Sequence, residues 1–331
     1  MKKISTLLVI VMLSFCVLLT GCKQDPDTIR VNEVTHSIFY APLYVAINKG
    51  YFEDEGLKIE LTNGGGADKS MAALTSKSAD IGLMGPEAAV YVTAQGKSDV
   101  PTVFGQLTKK DGSFIVSKTN IENFKWSDMT NKRIIGGRPG GVPAMALEYA
   151  LNQNGLIDGT NIDIITNIDF NNMASAFIGN DYEFVTCFEP VASALVQQGK
   201  GYNVASVGLM AGEMPFTCFM ANKSYIDSNP QRIEKFLRAI IKAYNYCMSA
   251  NVDDVVEALA PSFDTTDKAT IKSAFLSYKG IDAWNATPIM NENAYNKLIE
   301  VITKYGTLTQ NVPFNKIVDN SYAEKVLQSM A

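Results

Sequence analysis

The sequence predicts an α/β protein of two lobes with a helical C-terminal part, and three observations carry that prediction. The composition, 47% hydrophobic and 19% charged over 331 residues, is that of an ordinary globular chain and supplies enough apolar material for two cores. Strand-length apolar runs alternate with helix-length segments, the grammar of parallel-rich sheets covered by helices. That alternation runs once, restarts near Arg133, and after Pro230 gives way to helical spacing alone.

Residues 1–21 read as an export signal: Lys2 and Lys3 precede an apolar stretch from Ile4 to Leu19, too short for an ordinary membrane span. The following Leu19-Thr20-Gly21-Cys22 has the small-small-Cys ending of a bacterial lipobox. Cys22 is therefore expected to carry diacylglycerol, with residues 22–27 as a lipidated polar tether. This addresses the chain to the outer face of the bacterial cell membrane.

Lobe 1 is expected over residues 28–112. Ile29–Val34 is a strand, Tyr40–Lys49 a helix with Pro42 in its first turn, and Leu57–Leu61 the next strand. Asp68–Ser76 and Glu87–Gln95 are helices on either side of the strand Asp80–Met84. Thr102–Leu107 and Ser113–Ser117 are strands. Lobe 2 is expected over 113–215, with strands Arg133–Gly136, Ile162–Ile165, Glu183–Cys187 and Val204–Val207. Its helices are Val142–Asn154, Asn172–Ile178 and Glu189–Gln198. Residues 216–331 return to lobe 1 and add helices, shown by Ile233, Phe236, Leu237, Ile240, Ile241 and Tyr244 at helical spacing.

Charge and residue counts exclude several functions. With 29 basic against 34 acidic side chains, the net charge of −5 argues against nucleic acid, whose binding needs clustered cations. His36 is the single histidine, so no zinc site built on several histidines exists and any His-dependent triad must use His36. Neither a metal nor a cofactor is expected. Cys187, Cys218 and Cys247 allow at most one disulfide and read as three small buried hydrophobes.

Four strand-to-helix turns are candidate ligand segments, because open α/β sheets place ligands at strand C-termini. The first holds Thr35, His36, Ser37, Phe39 and Tyr40. The second is Gly85-Pro86-Glu87. The third, Gly136 to Gly141, brings Gly137, Arg138, Gly140 and Gly141 to the helix start at Val142, where unpaired N–H groups attract anions. The fourth is Phe188-Glu189. For each a blander reading stands beside the first: packing for the aromatics and His36, a tight turn for the glycines, a solvated Arg138, and dipole complementarity for Glu189. The run from Gly64 to Ser70 superficially suggests a phosphate loop, but Asp68 stands where a glycine is required, so it reads as a turn and cap.

Tyr40 to Leu57 (YAPLYVAINKGYFEDEGL) resembles the opening of ABC-importer solute-binding proteins of the nitrate/sulfonate/taurine and thiamine-precursor group. Ala79 to Glu87 (ADIGLMGPE) and Phe188-Glu189-Pro190 resemble that group's later blocks, and the likeness extends over nearly the whole mature chain. The resemblance implies a type II periplasmic-binding fold with two crossover strands, near Asp111–Ser117 and Gly208–Phe219. It implies a monomer that closes on a small molecule and delivers it to an ABC permease with its ATPase. Asp111 and Ser113, at the first crossover, are then further cleft candidates, and Phe216 could offer a flat apolar wall.

Arg138 is the only basic residue in these segments, which suits a heteroaromatic such as a thiamine pyrimidine precursor better than a small anion. An aliphatic sulfonate, taurine or nitrate remains the alternative, held by backbone amides. A eukaryotic relative of the group makes the pyrimidine enzymatically through a cysteine-rich motif. Here that region has one cysteine, Cys187, and catalysis is not expected. A sensor or adhesion lipoprotein using the same cleft is the remaining reading.

Overall fold

Ile29 and Val31 are wholly buried because the strand that carries them lies inside a sheet, between two parallel neighbours. The structure, a computed structural model, describes residues 27–96 and 99–331; the signal segment and Cys22 lie outside these. The first sheet contains β1 (Thr28–Glu33), β2 (Lys58–Asn63), β3 (Ile81–Met84), β4 (Pro101–Thr108) and the much later β10 (Thr217–Asn222). The second contains β5 (Ser113–Ser117), β6 (Arg133–Ile135), β7 (Asp163–Ile165), β8 (Phe184–Phe188) and β9 (Tyr202–Ser206). Their orders are β2-β1-β3-β10-β4 and β7-β6-β8-β5-β9.

Each sheet has one strand running against the rest, β10 in the first and β5 in the second. Both are the first strand after the chain passes from one sheet to the other. A chain that leaves one sheet at the C-terminal ends of its strands enters the facing sheet at the same end, so the entering strand must point the opposite way. The two passages, 109–112 and 207–216, run side by side: Met214 N–H donates to Lys109 O at 3.0 Å and Phe216 N–H to Thr108 O at 3.2 Å. This is the two-lobe type II periplasmic-binding fold.

Two local expectations change. Gly208 to Ala211 is not extended but lies in the short helix Val207–Ala211, because Ser206 Oγ accepts from Leu209 N–H at 3.2 Å and nucleates a turn. The extended strand begins only at Thr217. Tyr40 lies outside the first α-helix, in a 3₁₀ turn Ile38–Tyr40 capped by Ser37 Oγ, and the α-helix Ala41–Asn48 starts after it with Pro42 in its first turn.

The C-terminal helices tie the lobes together. Helix Pro230–Ser249 buries Ile233, Phe236, Leu237 and Ile240, and Phe236 meets Phe52, Phe104 and Phe219 of the first lobe at 5.0–6.0 Å between ring centres. Helix Lys268–Gly280 places Tyr278 between the lobes, where its hydroxyl accepts from Glu189 N–H at 2.8 Å. Cys187, Cys218 and Cys247 are separate buried thiols, and burial raises all three above the ordinary thiol range. Among the described residues no helix is long and apolar enough to cross a membrane.

Candidate functional site

The C-terminal ends of the strands in both sheets face one another across a cavity of about 250 Å³. From the first lobe come Val34, Thr35 and Tyr40 after β1, Ala67 and Asp68 after β2, and Gly85 and Glu87 after β3. The second lobe supplies Arg138 to Pro143 after β6, Phe170 after β7 and Phe188 at the end of β8, while Phe216 and Thr217 arrive from the second passage. Of the residues expected from sequence, Thr35, Tyr40, Gly85, Glu87, Arg138, Gly140, Gly141, Val142, Phe188 and Phe216 line it.

The walls are aromatic. Phe188 meets Phe170 nearly edge-on at 6.1 Å and Phe216 at 6.3 Å, a self-supporting arrangement of rings. Tyr40 is 2% exposed and lines the cavity beside Thr217. The electrostatics centre on Glu87, which is 4% exposed. Burial pushes its carboxyl up to about 7, against the opposing pull of the backbone N–H groups of Glu87, Val142 and Ala88. Those N–H groups approach the carboxyl but leave Oε2 buried without a hydrogen bond. Gly85 makes the pose possible, since a Cβ there would fall 2.0 Å from Oε2. Tyr40 and the Cys218 thiol are held neutral by burial, with the charges of Glu33 and Glu87 adding to the effect at Tyr40 and that of Glu87 at Cys218.

Arg138 is already engaged. Its Nη1 donates to Asp68 Oδ1 at 3.1 Å, bridging the two lobes at the rim of the cavity. Burial alone would raise the Asp68 carboxyl, but the hydrogen bond and charge of Arg138 outweigh it and the group sits below its ordinary value. Gly66 leaves room for this pair, because a Cβ there would lie 2.1 Å from Arg138 Nη1.

The other expected residues lie behind the lining. Phe39 is wholly buried, its ring against Tyr40, Phe188, Phe216 and Tyr278. Ser37 caps the 3₁₀ turn and its Oγ donates to Glu189 O at 2.6 Å, joining the lobes. Glu189 accepts from Ser193 N–H at 2.8 Å and Ser193 Oγ at 2.9 Å, so its carboxyl caps its own helix; burial raises it above the ordinary range. Asp111 Oδ1 accepts from Ser113 N–H at 2.6 Å and from Ser113 Oγ, and burial pushes this carboxyl up to about 7. Gly137 supplies a turn at φ +77°, and Pro86 leads into the helix Glu87–Ala94.

His36 is a bracket. Its Nδ1 meets Glu33 Oε1 at 2.8 Å and its Nε2 donates to Ser262 O at 2.8 Å, fastening β1 to the turn before Phe263. The hydrogen bond to buried Glu33 raises the imidazole above 6.5, against the opposing effect of burial. Its stabilisation is therefore complete below pH 6.5 and is lost as pH rises through the raised value. His36→Gln should lower the melting temperature more at pH 5.5 than at pH 8.5; equal losses at both would show that the imidazolium contributes nothing.

Sequence reasoning missed Val34, Ala67, Asp68, Pro143, Phe170 and Thr217. Phe170 follows β7, so the strand-end rule that found the others already pointed at it. Asp68 was set aside with its loop, and its role depends on a partner seventy residues away. Among the described residues no group of three or more His, Cys, Asp or Glu is arranged to hold a metal.

The NMT1/THI5-like family profile matches residues 38–251. The Bacillus subtilis (strain 168) protein YtlA, described as a binding protein, is 41% identical over 310 residues, 93% of each chain. The 4-amino-5-hydroxymethyl-2-methylpyrimidine phosphate synthase of Aspergillus parasiticus is 26% identical over 64% of each chain. The solved structure of the alkanesulfonate-binding protein SsuA from Xanthomonas axonopodis pv. citri, bound to MOPS, superposes with a TM-score of 0.72 at 16% identity. That superposition covers 89% of this chain and 99% of SsuA. Profile, near full-length relative and two-lobe fold agree, and the chain belongs to the NMT1/THI5-like family.

Proposed function

We propose that this protein is the extracytoplasmic substrate-binding component of an ABC importer, capturing a small organic solute between its lobes and delivering it to a permease with its ATPase. The cargo is a heteroaromatic of the thiamine-pyrimidine-precursor kind. One observation carries this reading: the rings of Tyr40, Phe170, Phe188 and Phe216 surround a site whose buried charge-bearing group is an acid, Glu87, while Arg138 is paired with Asp68. Flat faces suit a ring, and an inorganic anion beside Glu87 would find no unpaired cation among the lining residues. The protein is exported, anchored through Cys22 and monomeric, with lobe 1 over 28–112, lobe 2 over 113–215 and the return over 216–331. The family likeness supports transport over catalysis through the extensive match to the binding protein YtlA.

The test is a thermal-shift series with 4-amino-5-hydroxymethyl-2-methylpyrimidine, thiamine, taurine, an alkanesulfonate and nitrate. Ligand at a hundred times its Kd stabilises by about 2.7 kcal/mol, a shift of several degrees. A shift with the pyrimidine alone supports the reading. Shifts confined to sulfonates or nitrate replace it with an anion carrier that uses the N-terminus of helix Val142–Gln153.

A further inference from the structure

Glu87 and Glu189 stand at equivalent places in the two lobes, each just after a buried strand and near the start of a helix. Their carboxyls meet different fates. Glu189 is satisfied by Ser193 within its own helix, whereas Glu87 turns back over Gly85 into the cavity and leaves Oε2 buried and unpartnered. A buried carboxyl oxygen without a donor is costly, and an ionised carboxyl can only accept hydrogen bonds. No side chain of the lining donates to Oε2 in this structure, and the one basic side chain there, Arg138, is spent on Asp68. The missing donor is thus left to the ligand.

We propose that Glu87 is the specificity-determining residue of the cavity, its carboxylate accepting a hydrogen bond from an N–H group on the edge of a flat nitrogen heterocycle. This rests on the heteroaromatic reading above and narrows it to rings bearing an exocyclic amino group or a ring N–H. The aromatic walls hold such a ring by its faces and leave its edge to the carboxyl. A hydrogen bond to an ionised acceptor is about twice as strong as a neutral one, and a ring that lacks the donor forfeits it while still covering the carboxyl. Burial pushes this carboxyl up to about 7, and an N–H donor favours the ionised form.

The experiment is a double-mutant cycle read by calorimetry. The two probes are 4-amino-5-hydroxymethyl-2-methylpyrimidine and the same ring with methyl in place of the 4-amino group. The two proteins are the full chain and its Glu87→Met variant, which replaces a buried acid with an apolar side chain of similar size and should fold at least as well. In the wild type the methyl ring should bind about 10- to 100-fold more weakly than the amino ring. In Glu87→Met the two should differ by less than threefold. If the wild type binds both rings within threefold of each other, the inference falls and the heteroaromatic reading stands. Equal weakening of both rings in the variant, at unchanged melting temperature, likewise sinks it, because Glu87 would then merely shape the wall. Binding of a sulfonate or nitrate with neither ring bound overturns both.

Discussion

Phe39→Ala is expected to destabilise the protein by about 3–5 kcal/mol, the cost of emptying a large aromatic site in a closed core. The ring is wholly buried at the point where four parts of the chain meet. Tyr278 of the C-terminal helices lies 4.9 Å away, Phe188 of the second sheet 5.7 Å, and Phe216 of the second passage 5.8 Å, measured between ring centres. The first passage closes the remaining side, since a Cβ on Gly112 would fall 2.7 Å from the Phe39 ring. The backbone is pinned as well, with Trp284 Nε1 donating to Phe39 O at 2.9 Å. With neighbours held from four directions, little collapse into the cavity is available, and that places the cost in the upper part of the range for such substitutions. Denaturant unfolding of the two proteins measures it. A loss below 1 kcal/mol accompanied by loss of ligand affinity would make Phe39 a ligand wall instead of the support behind Phe188 and Phe216.

The alternation of strands and helices was legible in the sequence because buried parallel strands read as short apolar runs between turn residues. The cavity was legible to the same depth: a rule about strand ends reaches Tyr40, Gly85, Glu87, Arg138 and Phe188, which do line it. Side-chain direction was not. Gly85-Pro86-Glu87 and Phe188-Glu189-Pro190 look alike as strand-to-helix turns, yet one acid enters the cavity and the other caps a helix. The difference lies in Gly85, which clears space for a carboxyl to fold back, and in Ser193, which offers Glu189 two donors. Arg138 likewise resembled a free cation until the fold brought Asp68 beside it, a pairing between the lobes that is invisible to local pattern. His36 resembled a cleft residue because it sits at a strand end; its partners Glu33 and Ser262 draw it to the bracket instead.

Gly208→Ala should cost about 2–3 kcal/mol, an overpacking penalty at the upper end of the usual range. A Cβ at this position would lie 2.1 Å from Asp111 O and 3.1 Å from the Asp111 carbonyl carbon and nitrogen. These are backbone atoms of the other passage, so no rotamer change can relieve the contact. Asp111 itself is fixed, fully buried with Oδ1 held by Ser113 N–H. The methyl group must therefore separate the helix Val207–Ala211 from the segment 109–112, and these two passages are the covalent links between the lobes. A wedge there changes the angle at which the lobes meet, so ligand affinity should fall even where the variant is fully folded. Gly280→Ala is the matched control, because its Cβ meets nothing within 4 Å and the site ends a helix. For a chain of this size the expected penalty lowers the melting temperature by several degrees, with the control near wild type. A Gly208→Ala protein melting within one degree of wild type would show that the passages slide apart freely, and the lobes would then be held together by the C-terminal helices and the Ser37–Glu189 bond.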